Sequence, residues 1–213
     1  MKKFSLLLAI LIFTAGATFG QFNFGLKIGY NASKLSTSLD SITSSFNSGM
    51  HFGAFFRFGL GKKIYIQPEA YYTLQGGLFK NDAANTLNNW EQKVTVGTLD
   101  IPVLIGFKLI NAKIVNWRIM AGPMVSFVVN SKIKNVSLTG PITSSDITKL
   151  NWYMQVGTGV DLWFLTLDIR YQVGLNHMIN SAQYEDSNGN PTGTEYLLNA
   201  KNNMWVVSLG FKI

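Results

Sequence analysis

The chain of 213 residues is long enough for one domain with a sizeable core, and only 14% of its residues are charged, against roughly 25% in soluble domains. It contains no cysteine, which excludes a disulfide framework and thiolate chemistry and speaks against a lipoprotein anchor. The net charge is +7, but no basic run is longer than Lys62-Lys63, so nucleic acid is not an expected partner.

The first twenty residues have the pattern of a secretory signal peptide. Lys2 and Lys3 form a positive start, residues 4–13 are apolar, and Thr18-Phe19-Gly20 offers a cleavage site. Cleavage after Ala17 is the alternative, and the apolar run is shorter than the roughly 20 residues of a membrane-spanning helix. We predict an exported protein in which residues 1–20 are removed, residues 21–213 form one domain, and the loss of two lysines lowers the charge from +7 to +5.

Eight segments alternate apolar and polar side chains with the period of a β-strand. In the seventh segment Leu167 and Ile169 lie on one side, while Asp168, Arg170 and Gln172 lie on the other. The predicted strands span approximately 22–33, 50–60, 64–75, 94–108, 117–129, 152–162, 165–177 and 204–213.

Charge and glycine both favour one face of these predicted strands. Ten of the eleven strand glycines lie on the less apolar face, where they leave room for long polar side chains. All the charged strand residues lie on that face too. These residues are Lys27, Arg57, Glu69, Asp100, Lys108, Arg118, Asp161, Asp168, Arg170 and Lys212. We predict that they form an ion network in a polar lumen. The structural alternative is a soluble lipocalin-like barrel, which would turn its apolar face inward.

The connections between the strands alternate in length. Short ones lie around 61–63, 109–116 and 163–164, and long ones around 34–49, 76–93, 130–151 and 178–203. This asymmetry is typical of an outer-membrane barrel, whose short turns and termini face the periplasm and whose long loops face outside. We therefore predict an all-β protein, an eight-stranded antiparallel up-and-down transmembrane β-barrel.

Aromatic residues and prolines add detail to the predicted wall. All five tryptophans fall at strand ends and are predicted to form aromatic belts at the membrane interfaces. They are Trp90, Trp117, Trp152, Trp163 and Trp205.

Pro68 and Pro102 lie within predicted strands, where a bulge or a break in pairing would accommodate each. This structural interpretation is favoured over the alternative that either proline forms a gate or a docking notch for a partner.

The residues do not indicate an enzyme. His51 and His177 are the available bases, and neither has an evident orienting partner. Metal and cofactor motifs are also missing from the sequence, so no metal or cofactor is expected. The lumen charges favour a salt-bridged plug, with a narrow path of slight anion preference as the alternative, because a barrel of eight strands has no open channel.

Four segments resemble strands of PorT-family outer-membrane β-barrel proteins. They are YIQPEAYYTLQG (65–76), TLDIPVLIGFKL (98–109), MAGPMVSFVV (120–129) and VGTGVDLWFLTLDIRYQVGLNHM (156–178). The resemblance covers essentially all of the mature chain and extends to the final LGFKI, which is similar to the ending read by barrel-assembly machinery. It implies an eight-stranded outer-membrane barrel, and the founding member is tied to type IX secretion and gliding. It assigns no role to any residue.

The sequence thus predicts a small, closed outer-membrane barrel with a structural or protein-interaction role, and the PorT-family resemblance adds an accessory role in type IX-like secretion as one option. The alternatives are a narrow ion-conducting pore and a membrane-embedded hydrolase or acyl transferase. The expected partners are outer-membrane lipid, including lipopolysaccharide, and envelope or secretion-machinery proteins. The barrel itself is expected to be monomeric.

Overall fold

The computed structural model describes residues 22–36, 42–81, 91–112, 114–135, 147–179, 182–185, 191–196 and 201–213. Within these residues the chain forms the strands β1 (Phe22–Ser36), β2 (Ile42–Leu60), β3 (Ile64–Asn81), β4 (Glu91–Asn111), β5 (Val115–Asn135), β6 (Leu150–Leu162), β7 (Leu165–Gly174), β8 (Ala182–Glu185), β9 (Pro191–Tyr196) and β10 (Lys201–Lys212). No helix in this part of the chain is long and apolar enough to cross a membrane.

Eight of the described strands close into one antiparallel barrel, in the spatial order β1-β10-β7-β6-β5-β4-β3-β2. Each strand pairs with its neighbour in sequence, except that β10 lies between β7 and β1 and closes the ring. The predicted eight-stranded antiparallel barrel is confirmed.

The strands differ from the prediction mainly at their ends near the long connections. β2 begins at Ile42, well before its predicted limit of 50, and β5 ends at Asn135, past its predicted limit of 129, whereas β7 ends at Gly174 and leaves His177 outside the strand. The short strands β8 and β9 pair with each other inside the predicted 178–203 connection. Alternation does not reveal these parts because the Ser-, Thr- and Asn-rich segments carry no regular apolar face.

The barrel is polar inside and apolar outside. Along β7 buried and exposed residues alternate, with Asp168 and Arg170 at most 1% exposed and Leu167 and Ile169 almost half exposed. Large apolar side chains are exposed on all eight barrel strands. This arrangement excludes the lipocalin-like alternative, and so large an apolar exterior requires a hydrocarbon environment.

Four of the five tryptophans lie on the exterior near the ends of the strands. Trp117 and Trp163 lie at the end with the short turns, and Trp163 occupies the β6–β7 turn with φ of 54°. Trp152 and Trp205 lie toward the other end. Trp90 and the predicted signal peptide lie outside the described residues.

Three prolines lie in adjacent strands between these tryptophans: Pro68 in β3, Pro102 in β4 and Pro123 in β5. At each proline the pairing with the preceding strand is interrupted, and the register is the same on both sides of the gap. The gaps lie between Phe55↔Glu69 and Phe58↔Ile66, between Pro68↔Val103 and Tyr71↔Asp100, and between Pro102↔Met124 and Ile105↔Ala121. A break in pairing, and not a bulge, therefore accommodates the prolines.

One missing hydrogen bond explains each gap. Continuing the register places the three prolines opposite Phe56, Glu69 and Val103, respectively. A proline nitrogen carries no hydrogen, so the backbone carbonyls of those three residues lose the donor that any other residue would supply. An unpaired carbonyl costs on the order of a few kcal/mol in a hydrocarbon environment, so three of them weaken the β2–β5 wall locally.

Candidate functional site

The lumen contains two layers of polar side chains with different chemistry. The first, the ionic layer, lies toward the short turns and consists of Lys27, Arg57, Glu69, Lys108, Arg118, Asp161, Asp168, Arg170 and Lys212. The second, the amide layer, lies toward the long connections and consists of Asn31, Thr73, Gln75, Thr98, Asp100, Ser126, Asn151, Tyr153, Gln172 and Asn202. All ten charged residues predicted for the lumen thus have their side chains on its inner side.

Asp168 is fully buried between two cations. Lys27 donates to its Oδ2 at 2.5 Å, and Arg118 donates to its Oδ1. Arg118 reaches Asp168 because Gly159 lies between them on β6 as the register partner of both. A side chain at Gly159 would overlap the Asp168 carboxylate and crowd the guanidinium. The glycine therefore permits an ion pair between two strands that are not neighbours.

Glu69 connects one side of the lumen to the other. Its Oε2 accepts a hydrogen bond from Arg170 at 2.5 Å, and its Oε1 accepts from Lys27 at 2.8 Å and from Gln67 at 2.5 Å. β3, which carries Glu69, and β7, which carries Arg170, have three strands between them in either direction around the ring. The Glu69–Arg170 pair therefore spans the diameter of the lumen.

A second ion pair also spans the diameter, at a level nearer the short turns. Arg57 in β2 donates to Asp161 in β6 at 2.6 Å, and these strands too are opposite each other in the ring. Asp161 also contacts Arg118 at 3.1 Å and Lys212 at 3.2 Å. Lys212 is the most exposed of these side chains, at 14%, and marks the mouth of the lumen. Two ion pairs, Glu69–Arg170 and Arg57–Asp161, therefore cross and obstruct the lumen at the level of the ionic layer.

Asp100 lies in the amide layer, apart from the other carboxylates. Ser126 donates to its Oδ1 at 2.5 Å, and the hydroxyls of Thr73 and Thr98 lie beside it. Farther out, Asn202 donates to Gln75 at 2.8 Å. Neutral hydrogen bonds are the main interactions of this layer among the described residues, in contrast to the ion pairs below.

The ionic layer contains more positive than negative groups. Its described residues include six cations and three carboxylates. Two guanidinium nitrogens, Arg57 Nη2 and Arg170 Nε, are buried without a hydrogen-bond acceptor in the structure. The layer therefore combines a closed geometry with an excess of positive charge.

His51 has an unexpected partner in the lumen. Its Nε2 lies 2.9 Å from the Ser208 hydroxyl, and the two meet across Gly29, which is the register partner of both. Sequence reasoning missed Ser208, although its small polar side chain on the inner face of an alternating strand was a usable signal. The pair lacks the geometry of a hydrolase site, because both residues are buried and no described group orients His51 Nδ1.

The described residues contain no group of three or more His, Cys, Asp or Glu side chains that could hold a metal ion.

Uncharged side chains complete the hydrogen bonding around the predicted charges. Gln67, Thr166, Gln155 and Ser208 each bond to an arginine, and their role depends on spatial neighbours that sequence alone does not specify.

Comparison with known proteins agrees with this architecture. The family model described as outer membrane protein beta-barrel domain matches residues 14–180. The chain belongs to this family. Together with the apolar exterior, membership in the outer membrane protein beta-barrel domain family locates the protein in the outer membrane. The finer PorT-family assignment remains a prediction.

Solved structures show the same fold at low identity. Outer membrane protein OprG from Pseudomonas aeruginosa is 10% identical with a TM-score of 0.52, over 90% of this chain and 95% of OprG. Ail of Yersinia pestis, solved with the heparin analogue sucrose octasulfate, is 11% identical with a TM-score of 0.46, over 91% and 99% of the two chains. No curated protein matches the chain in sequence. The likeness to OprG shows the fold alone.

Proposed function

We propose that this protein is a closed outer-membrane barrel with a structural or protein-interaction role, which it performs through its surfaces and not through its lumen. The cross-lumen pairs Glu69–Arg170 and Arg57–Asp161 carry this proposal, because a permanent channel would have to pass two buried, charge-assisted contacts. The long connections extend outside the cell, and the short turns and termini lie in the periplasm.

Single-channel recording in planar bilayers tests the closed lumen. The unmodified protein should show no steady conductance, whereas Glu69→Ala combined with Asp161→Ala removes both carboxylates of the cross-lumen pairs and should raise the frequency of openings. Each sample must first show heat-modifiable mobility on a gel, which establishes that the barrel is folded. A steady conductance from the unmodified protein would contradict the proposal.

A narrow anion pore is the second candidate, and the excess of cations in the ionic layer favours it. A pore of this kind would conduct without any substitution and would prefer chloride to potassium. Reversal potentials measured under a salt gradient give that preference directly. Arg57→Gln should then weaken the selectivity for anions, which a closed barrel would not display at all.

We propose that lipopolysaccharide binds the exposed lysines at the end of the barrel with the long connections, past Trp152 and Trp205. Lys93 and Lys134 are exposed and directly opposite each other on β4 and β5, an arrangement that is unfavourable unless an anion lies near them. Three more exposed lysines near the strand ends, Lys132, Lys149 and Lys201, add positive charge to this pair. Phosphate groups at the outer interface match this charge.

The proposed lipid contact is testable by co-purification. Lys93→Gln with Lys134→Gln should reduce the lipopolysaccharide that remains bound after detergent extraction and lower its stabilising effect on thermal unfolding. Lys62→Gln with Lys63→Gln, at the other end of the barrel, is the matched control and should change neither. Equal losses in both double variants would point to net charge alone.

On the basis of the PorT-family resemblance, we propose that the protein has an accessory role in type IX-like secretion. In-cell crosslinking from the periplasmic turn at residues 61–63, followed by identification of the captured proteins, tests it. Capture of envelope secretion components would support the role. A deletion strain that exports its full set of secreted proteins would count against it.

A further inference from the structure

The β2–β5 wall has a property that the proposed function does not use. Between the tryptophans at the two ends, the carbonyls of Phe56, Glu69 and Val103 lack their ladder donors because prolines lie opposite them. In a closed barrel within lipid, backbone groups are normally all paired. Three such gaps in successive seams of one sector therefore indicate a place where another molecule can supply hydrogen bonds.

A groove on the lipid-facing surface extends from β7, β10 and β1 across β2 and β3 to the edge of β4, and so overlaps this sector. Its volume is about 820 Å³, and its lining includes Ala54 and Ala70, which are paired across β2 and β3. Larger apolar side chains surround the two alanines, among them Leu26, Phe52 and Leu99. The two methyl groups form a shallow floor between taller neighbours, and the depression is continuous with the apolar surface that contacts lipid chains.

The edge of the groove at Ala70 adjoins one of the unpaired carbonyls. The carbonyl of Glu69 belongs to the peptide bond that joins Glu69 to Ala70, and it is directed toward Pro102 on β4. Ala70 is exposed and covers little of the seam at this position. A molecule that lies over Ala54 and Ala70 is therefore next to a backbone acceptor that the wall itself leaves unsatisfied.

These two features select a ligand class. An alkyl chain matches the apolar groove, and a hydroxyl or protonated carboxyl group would satisfy the acceptor, whose pairing is worth more in hydrocarbon than in water. We propose that the groove binds a single-chain amphiphile of the fatty-acid type, with its chain over Ala54 and Ala70 and its protonated carboxyl or hydroxyl group donating to the Glu69 carbonyl. Bulk phospholipid chains, which lack a donor at this depth, fill the groove without satisfying the carbonyl.

Photo-crosslinking of the whole protein in lipid nanodiscs tests the site with a matched pair of probes. The probes are a diazirine-labelled palmitic acid and its methyl ester, which share the chain but differ in the donor group. The acid should label peptides of β2, β3 and β4 several-fold more than the ester does, and more than it labels β6, which does not line the groove. Uniform labelling around the barrel by both probes would overturn the proposal.

Two sets of variants separate the chain contact from the hydrogen bond. Ala54→Leu with Ala70→Leu fills the groove and should abolish the preferential labelling, whereas Ala121→Leu, an exposed alanine on β5, should leave it unchanged. Pro102→Val supplies an N–H to the Glu69 carbonyl and should remove the advantage of the acid over the ester. If the acid keeps its advantage in folded Pro102→Val protein, the carbonyl is not the acceptor and the proposal fails.

Discussion

The two layers of the lumen fill the same barrel in different ways. In the ionic layer, Asp168, Glu69 and Asp161 each contact two or three charged groups, and removing one partner leaves others buried without compensation. In the amide layer, Asp100 is held by neutral hydroxyls, so its loss leaves no opposing ion unpaired. The difference shows that the stability lost on removing a buried charge depends on how many buried counter-ions it leaves without a partner.

Exchanging Asp168 with Arg170 should have the largest effect. The exchange conserves net charge but places an arginine against Lys27 and Arg118 and a carboxylate where Arg170 meets Glu69. We expect the protein to lose the heat-modifiable form, as measured by gel mobility after refolding into detergent. A folded, fully stable exchange variant would show that only the total charge of the layer matters.

Asp168→Leu should be more harmful than a single substitution at Arg170 or Asp100. It leaves Lys27 and Arg118 short of a buried counter-ion, and breaking a buried pair in this way costs about 3–5 kcal/mol. Urea unfolding followed by tryptophan fluorescence in detergent micelles measures the loss of unfolding free energy. The comparison between layers fails if this loss is no greater than that in the Asp100 variant.

Arg170→Leu should be less severe, at about 2–3 kcal/mol, because Glu69 retains Lys27 and Gln67 as donors. The same urea titration applies, with Arg170→Lys as the conservative control. Lysine keeps the charge but loses the planar fork, so it should recover part of the stability. An Arg170→Leu variant that unfolds at the same urea concentration as the unmodified protein would remove the cross-lumen pair from the stability argument.

Asp100→Asn should have the smallest effect, about 1 kcal/mol or less. Asparagine has the same shape and keeps an oxygen that can accept from Ser126, so the layer loses little. The midpoint of urea unfolding should shift only slightly. A loss comparable to that of Asp168→Leu would mean that the amide layer depends on charge as much as the ionic layer does.

The sequence indicated the wall and the interior because both follow from alternation. Each strand must turn one face to lipid, so parity alone assigned Asp168 and Arg170 to the interior and Leu167 and Ile169 to the exterior. Parity does not identify partners. Arg57 and Asp161 are 104 residues apart in sequence and meet only because β2 and β6 come to lie opposite each other when the ring closes.

A break in pairing at Pro68 and Pro102 was one of the two expected outcomes, but the alignment of three proline gaps in adjacent strands and the glycine contacts were beyond sequence reasoning for a related reason. Pro123 lies in a predicted strand, but its significance depends on the register that puts it beside the gaps at Pro68 and Pro102. Gly159 was assigned to the polar face, yet its role between Arg118 and Asp168 needs the pairing of three strands. The closed barrel and the face that each side chain occupies were predictable, whereas the contacts between particular residues of different strands were not.

The closing seam between β1 and β10 has a consequence for how fast the protein matures. Lys27 pairs with Gly210, so nearly the whole barrel must be present before this seam can form. Contacts between segments so distant in sequence form slowly, and an unclosed sheet exposes two sticky edges meanwhile. Glu69 and Arg170 also come from opposite sides of the ring, so their attraction is realised only once the sheet has curled far enough to bring β3 and β7 face to face. The network therefore stabilises the completed ring and contributes little to the stability of partly assembled sheets.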